Sequence, residues 1–277
     1  MSMSIRTNVS SLNAQRNLTM NQSALDSSLS KLSSGYRITK AGDDAAGLGI
    51  STKLESQIRS YAQASRNAND GISVIQSTES ALNETANILT RLRELAMQSA
   101  SDGVGTSERQ YINTESGQLL SELDRIAAVA NYNGTQLLDG TQTTALDFQV
   151  GIANTANDRI SFSAVNATTG ASGLAVTGMD LSSKAGANTA LDTIDAALAT
   201  VSKSRATLGA AGNRLQSAIN NIQAFSESLS AANSRIKDVD VASETSNMSR
   251  LQILSQAGVS VLAQANQMPQ LALKLLG

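Results

Sequence analysis

The chain has 277 residues, of which 41% are hydrophobic and only 3% aromatic, and it contains one proline, no cysteine and no histidine. Disulfides and thiolate metal sites are therefore excluded, and the commonest general base and zinc ligand are both missing. The 21 basic and 23 acidic residues give a net charge of −2 without a long basic run, which argues against nucleic acid and anionic membrane as partners.

The composition favours long helices over a rounded enzyme interior. A core without tryptophan must be built from Leu, Ile, Val and Ala, and one proline leaves most of the chain free to be helical. No apolar run approaches the roughly 18 residues of a membrane span, so no membrane insertion is expected. The first residues also lack the apolar stretch of a secretory signal. By these signs alone the chain would be cytoplasmic.

Residues 5 to 38 begin the chain with apolar side chains at broadly helical spacing among Asn, Ser and Gln. These side chains are Ile5, Val9, Leu12, Leu18, Leu25, Leu29 and Leu32. Gly35 and Gly42 interrupt the pattern, and Asp43 or Asp44 can cap the helix that follows. Two adjacent carboxylates could also form a metal site or an acid–base pair, but capping is favoured because no histidine is available.

A long helix over about 45–98 follows. From Ile58 to Ala96 a series of positions steps by three and four, and nine of its twelve members are apolar. At about 1.5 Å per residue this stripe would span about 60 Å, so it needs an equally long partner.

The short break at 101–105 precedes Ser107 and Gln110, which have capping-box spacing and predict a helix over about 107–130. A break this short makes the two helices antiparallel neighbours. Asn133-Gly134 and Asp139-Gly140 predict turns.

Residues 141–182 are rich in Thr, Ala, Gly and Asn and predict a small β region. Alternating apolar residues over 146–152 and 160–164, joined by a polar link, predict a hairpin. Leu174 and Val176 suggest a third short strand. The glycines fit turns and match no phosphate-binding loop.

Thr189 and Asp192 form a second predicted capping box, which opens a helix over about 189–236. Its apolar stripe matches the first long helix in length, so the two are expected to pack along each other, with both chain termini at the same end. The predicted fold is mainly α, a long antiparallel coiled-coil-like bundle with a small β-hairpin region at its distal end.

The stretch 248–277 predicts a last helix that is apolar over much of its circumference. Its large side chains include Leu251, Leu254, Val261, Leu262, Met268, Leu271 and Leu275. Within one chain only the N-terminal segment can cover it, and two lone helices cannot bury enough surface to offset the entropy of ordering them. This segment is expected to order when other copies cover it, although an ordinary coiled-coil tail is the alternative.

Several stretches resemble bacterial flagellin, in the family's order. They include TNVSSLNAQRNL, KLSSGYRITKAGDDAAGLGIS, RNANDGISVIQSTESALNE, RLRELAMQSASDG, NYNGTQLLDG and DFQVG, then LGAAGNRLQSAINNI, SRIKDVDVASETSNMSRLQIL and VLAQANQMPQLALKLLG. They cover most of 4–140 and 205–277. The chain departs from many flagellins in its middle, where no large outer domain is inserted, so it resembles a minimal flagellin.

The resemblance implies a filament subunit that leaves the cell unfolded through flagellar type III export, without a cleaved signal peptide, and polymerises outside it. The cytoplasmic expectation is thereby replaced by an extracellular filament. Residues 1–44 and 238–277 would pair and line the filament channel, and residues 45–237 would form the shaft. Apart from other copies, the implied partners are an export chaperone, the filament cap protein and hook–filament junction proteins. No cofactor is implied.

Two smaller sites also come from the resemblance. The hairpin, at Gln149, Val150, Gly151 and Ile152, would act where filaments switch between supercoil forms. The motif LTRLRELAM suggests recognition by Toll-like receptor 5, with Arg91 and Glu115 making charged contacts and Leu95 an apolar one. Leu119 stands where the family often has arginine, and the alternative is that Arg91 and Glu115 are ordinary solvated residues.

Three other classes of protein fit the sequence less well. An enzyme would need a nucleophile, base or metal site without His or Cys, and no such constellation is present. A hook–filament junction protein shares the terminal helices, but the stretches above match filament subunits better. A non-flagellar secreted coiled-coil scaffold would have no reason to keep both end motifs.

Overall fold

The computed structural model describes residues 7–142 and 145–276, with side chains described through residue 267. Long helices account for most of the described chain, and they are α1 (Val9–Ser34), α2 (Ala45–Ala100), α3 (Thr106–Val129), α4 (Lys184–Lys237) and α5 (Val241–Leu276). The short strands between α3 and α4 are β1 (Asn131–Tyr132), β2 (Thr135–Gln136), β3 (Leu146–Gln149) and β4 (Arg159–Phe162). The predicted mainly α architecture is confirmed.

Capping residues set the helix boundaries in the first part of the chain. The Asn8 side chain accepts a hydrogen bond from the Ser11 amide at the start of α1, and Gly35 ends α1 in the left-handed conformation at φ 73°. Asp44 caps α2 by accepting from the Gly47 amide at 2.8 Å. Asp43 instead accepts from two backbone amides of the preceding turn, and those bonds hold the pKa of its carboxyl below the usual value.

Both predicted capping boxes are wrong. Helix α3 begins at Thr106 with Gly105 as its N-cap and no side-chain cap, so Ser107 lies inside the first turn. Helix α4 begins five residues before Thr189, and the hydroxyl of Ser183 accepts from the Gly186 amide at 3.1 Å. Thr189 instead donates to the Ala185 carbonyl of its own helix.

The β region consists of two antiparallel hairpins. Asn133 and Gly134 have φ values of 50° and 81° and form the tight turn between β1 and β2, as the Asn-Gly pair predicts. Strands β3 and β4 pair in register from Leu146 opposite Phe162 to Gln149 opposite Arg159, which confirms the predicted second hairpin.

The predicted third strand at Leu174 and Val176 is wrong. Their amides bond to the carbonyls of Thr168 and Thr169 within one tight loop, so they pair with no neighbouring strand. Both side chains are nevertheless buried. The alternating apolar residues therefore indicated burial of these side chains and not a β-strand.

The described chain divides into two compact units, Met1–Ile58 with Ser228–Gly277, called the terminal unit here, and Arg59–Glu227, called the shaft unit. The shaft unit holds a continuous apolar core along α2, α3, α4 and the β region. The predicted division into 1–44 with 238–277 and 45–237 stays a prediction.

Candidate assembly surface

In the terminal unit, α1 and α5 pack against each other in antiparallel orientation. The Asn8 side chain donates to the Ala265 carbonyl at 2.8 Å, and near the other end of α1 the Ser28 hydroxyl donates to the Glu244 carboxylate at 2.5 Å. Gly258 allows close approach, because a Cβ there would lie 3.2 Å from a methyl group of Leu18. The predicted pairing of the terminal helices is present.

This pair of helices leaves its apolar side chains largely uncovered. Of 16 large hydrophobic side chains that are exposed in the described chain, 11 belong to the terminal unit. Of 34 buried hydrophobic residues in the described chain, only Ile38 and Ala265 belong to it, so 32 lie in the shaft unit. The terminal unit therefore has apolar surface without an interior of its own.

The predicted polymerisation residues fall into three groups. Those exposed are Val9 (60%), Leu12 (52%), Leu29 (46%), Leu254 (44%) and Val261 (59%). Those half-buried between the helices are Leu25, Leu32, Leu251 and Leu262. Ile5 and the side chains of Met268, Leu271 and Leu275 lie outside what the structure describes.

The terminal unit has further exposed apolar residues. Met20 and Val241 are exposed on α1 and α5, and Ile50 is exposed near the start of α2. Sequence reasoning did not single out these three as assembly residues. In the sequence each is an apolar residue on a polar-rich helical face. Isolated exposed apolar residues occur on any soluble protein, so this pattern alone does not indicate an assembly residue.

Within the terminal unit, a cluster of contacts connects the segment after α1 to the end of α4. The Arg37 amide donates to the Lys237 carbonyl at 2.6 Å, in a short antiparallel bridge of the two chain segments. The Lys237 ammonium lies 4.4 Å from the centre of the Tyr36 ring and donates to Glu55 at 2.5 Å. The hydrogen bond to Glu55 raises the pKa of Lys237, since it favours the charged form.

In the shaft unit, α2 and α4 are antiparallel, and charged pairs occupy the breaks in their apolar stripes. Glu79 and Arg205 approach to 3.7 Å, and Arg93 meets Asp195 at 2.6 Å. The hydrogen bond from Arg93 lowers the pKa of Asp195. Glu79 and Arg93, two polar positions in the apolar stripe of α2, thus each meet a residue of opposite charge on α4.

The predicted receptor-binding residues are partly brought together. Arg91 on α2 donates to Glu115 on α3 and to Glu94, each at 2.9 Å, and these bonds, with Glu94 foremost, raise its pKa. Leu95 is only 1% exposed and lies beneath this surface in the core. Leu119 is half-buried and packs on the same core.

The predicted supercoil-switch hairpin turns through an irregular segment. The amides of Val150 and Gly151 both donate to the Asp158 carbonyl, at 2.8 and 3.0 Å, as in a β-bulge. Val150 is buried, and Ile152 is 39% exposed at the tip. A Cβ at Gly151 would lie within 2 Å of the Asp158 carboxylate, so only glycine fits there.

Neither a metal cluster nor a membrane helix emerges from the described residues. No group of three or more Asp and Glu side chains in them is placed to hold a metal ion. None of the helices there combines the length and apolarity needed to cross a membrane.

Comparison with known proteins gives matches along the whole chain. Residues 5–143 match the family model of the bacterial flagellin N-terminal helical region, and residues 191–276 match that of the bacterial flagellin C-terminal helical region. A flagellin of Halalkalibacterium halodurans is 43% identical over 274 residues, covering 99% of this chain and all of the relative.

Two further comparisons agree. The flagellar filament 30.7 kDa core protein of Treponema maltophilum is 41% identical over 284 residues, covering 99% of this chain and all of its own. The crystal structure of Bacillus cereus flagellin superposes with a TM-score of 0.50 at 31% identity, covering 57% of this chain and 88% of that one.

Proposed function

The chain belongs to the bacterial flagellin family and is a structural subunit of a flagellar filament, and from that premise we propose that α1 and α5 drive polymerisation. The observation that carries the proposal is the uncovered apolar surface of the terminal unit, which holds 11 of the 16 exposed large hydrophobic residues in the described chain. Burial of such surface against other copies supplies a non-directional driving force for association.

The proposed filament contact uses the residues predicted as the polymerisation core. Val9, Leu12, Leu29, Leu254 and Val261 are 44–60% exposed in the single chain and would be covered by neighbouring copies. Residues 1–44 and 238–277 would line the channel, and residues 45–237 would form the surrounding shaft.

Folding of the terminal helices is coupled to assembly in this proposal. With two buried hydrophobic residues in its described part, the terminal unit gains little free energy to offset the conformational entropy lost on ordering its helices. Contacts with other copies would supply the missing burial. Free subunits would then stay soluble until they reach a growing filament end.

Deleting Gln256 to Gly277 tests this proposal. We expect the truncated chain to keep the circular dichroism signal and unfolding transition of the shaft unit, because the core of that unit lies within Arg59–Glu227. Electron microscopy should show no filaments at concentrations where the full chain polymerises. Normal filaments from the truncated chain would refute the role assigned to α5.

We also propose that the hairpin segment Gln149 to Ile152 acts in switching between supercoil forms. Its bulge inserts one residue into the strand pairing, and such irregular pairing can adopt two close-lying arrangements. Conservative substitutions at Gln149 and Ile152 should change filament waveform without loss of assembly, measured by dark-field microscopy. An unchanged waveform in every variant would remove this role.

Recognition by Toll-like receptor 5 is a further proposal, supported by the exposed Arg91–Glu115 pair on the adjoining faces of α2 and α3. The side chains are 51% and 46% exposed, so both are available to a partner. Leu95, at 1% exposure, would act by supporting the backbone beneath them and not by direct contact.

Charge reversal at Arg91 tests receptor recognition. Arg91→Glu should weaken receptor signalling by roughly tenfold or more, since it places like charge against any acidic contact and beside Glu94 and Glu115. Arg125→Glu is the matched control, because Arg125 is an exposed arginine that pairs with a glutamate on its own helix. Equal signalling by both variants would count against the proposed site.

The remaining partners follow from the same proposal. The subunit would leave the cell through the flagellar type III channel, after an export chaperone has held α5. It would then contact the filament cap and the hook–filament junction proteins in a filament outside the cell. Co-purification of the chaperone with the full chain, and its loss on deleting Gln256 to Gly277, is the expected result. A chaperone retained by the truncated chain would exclude α5 as its binding site.

A further inference from the structure

One polar contact ties the hairpin to the long helix α2. The side-chain amide of Asn67 donates to the main-chain carbonyl of Gln149, the last residue of β3, at 3.0 Å. The other end of the same amide accepts from Gln63 one helical turn earlier, at 2.9 Å. Asn67 is half-buried, so its side chain is held at both ends beneath the hairpin.

One turn further along α2, the absence of a side chain makes room for β3. A Cβ at Gly71 would lie 3.0 Å from the Phe148 ring and 3.0 Å from a methyl group of Leu215 on α4. The Phe148 ring stacks on Phe162 of β4 with centroids 5.7 Å apart. The Phe148 ring of this aromatic pair therefore packs directly against the backbone of α2 at Gly71.

Side-chain hydrogen bonds within the hairpin hold its bulge. The Gln149 side chain donates to the carbonyls of Gly151 and Ala153, at 2.9 and 2.8 Å, and accepts from Arg159. The main chain of Gln149 thus faces α2 while its side chain fastens the bulge. Gln149 is the point where the helix and the irregular turn meet.

We propose that Asn67 is a positioning residue that fixes the register of the hairpin on α2, with Gly71 as the notch that admits Phe148. A slip of one residue along β3 would turn the Gln149 carbonyl away from Asn67 and the Phe148 ring away from Gly71, because side chains and carbonyls alternate along a strand. The two contacts therefore favour one register. The inference rests on the proposed switching role of the hairpin and names the helix residue that selects its state.

Amide hydrogen exchange in the free subunit tests the positioning role directly. Asn67→Ala should speed exchange of the Val150 and Gly151 amides about 5-fold, which at 1.4 kcal/mol per factor of ten corresponds to one neutral hydrogen bond of about 1 kcal/mol. Asn69→Ala is the matched control, because Asn69 is an exposed asparagine of the same helix whose side chain donates to the Ser65 carbonyl one turn earlier. Equal exchange in the two variants would overturn the proposal.

A second variant separates positioning from general packing. Asn67→Asp keeps the shape but places an acceptor against the Gln149 carbonyl when ionised. Protonation below a pKa near 3.9 returns a donor. The measured quantity is the exchange rate of the Val150 and Gly151 amides divided by the rate in Asn69→Ala at the same pH. This ratio should be well above one at neutral pH and approach one near pH 3. A ratio that does not change with pH would contradict the hydrogen bond as the cause.

Filament shape then distinguishes this inference from the proposal on which it rests. Faster exchange in Asn67→Ala together with an altered waveform supports both. Faster exchange with an unaltered waveform supports the positioning role of Asn67 and counts against switching by the hairpin. Unchanged exchange overturns the positioning role, whatever the waveform.

Discussion

Replacing Val261 in α5 by serine tests whether uncovered apolar side chains hold filament subunits together. Val261 is 59% exposed in the single chain. Fully burying a valine is worth about 1.5 kcal/mol, so covering the exposed fraction contributes about 0.9 kcal/mol. Burying a hydroxyl instead costs about 1 kcal/mol. Val261→Ser should therefore weaken the contact by about 2 kcal/mol, or roughly 30-fold in critical concentration at 1.4 kcal/mol per factor of ten.

The same substitution should leave the free subunit almost unchanged. An exposed position loses little burial on substitution, and valine and serine have similar helix propensities. The free energy of unfolding of the free subunit should therefore stay within about 0.5 kcal/mol of the unmodified value. This separation of assembly from subunit stability is what distinguishes an interface residue from a core residue.

The assay is the concentration of unpolymerised subunit that remains after seeded growth and sedimentation. Val129→Ser is the matched control, because Val129 is 58% exposed at the end of α3 in the shaft unit and undergoes the same chemical change. We expect a rise in critical concentration for Val261→Ser well above that for Val129→Ser. Equal values for the two variants would refute the assignment of assembly to the terminal helices.

Three further predictions concern the shaft unit. Leu215→Ala should lower its free energy of unfolding by about 2–5 kcal/mol, because the side chain is fully buried, whereas Gly209→Ala, with open space around its Cβ, should not destabilise it. NMR titration should place the pKa of Asp195 below its usual 3.8 and find it restored in Arg93→Gln. Because that folded-state pKa is depressed, the stabilisation is present above the unfolded value and lost as pH falls through the folded one. Gly151→Ala should reduce amide protection in β3 and β4 while leaving α3 unaffected, since its Cβ would collide with a carboxylate oxygen.

Helix existence and pairing could be predicted from the sequence, because the apolar period of α2 and α4 continues over several heptads despite a few polar positions. The starts of α2 and α3 were predicted to within one residue, but the start of α4 was not. A capping box is a local preference worth about 1 kcal/mol, and the start of α4 is set by Ser183 and by burial of Ala187 and Ala190 against the core. Tertiary contact outweighed the local signal at Thr189.

The candidate site was predictable in part for a related reason. An apolar stripe shows which residues need covering but not which element covers them, so α1 and α5 were found by elimination. Leu95 shows the limit, because it lies outside the single stripe read along α2. It is buried in the core to which α3 contributes Ile112 and Leu123. A helix packed on two sides has two apolar faces, and a one-stripe pattern cannot assign the second.

Amide hydrogen exchange of α1 and α5, compared between free subunits and filaments, tests the central claim most directly. At a subunit concentration 100 times the critical concentration, assembly stabilises the assembled form by about 2.7 kcal/mol, so protection in Val9–Ser34 and Val241–Leu276 should rise about 100-fold. Protection in Thr106–Val129 should already be high in the free subunit. Terminal helices equally protected in both states would contradict the coupling of their folding to polymerisation.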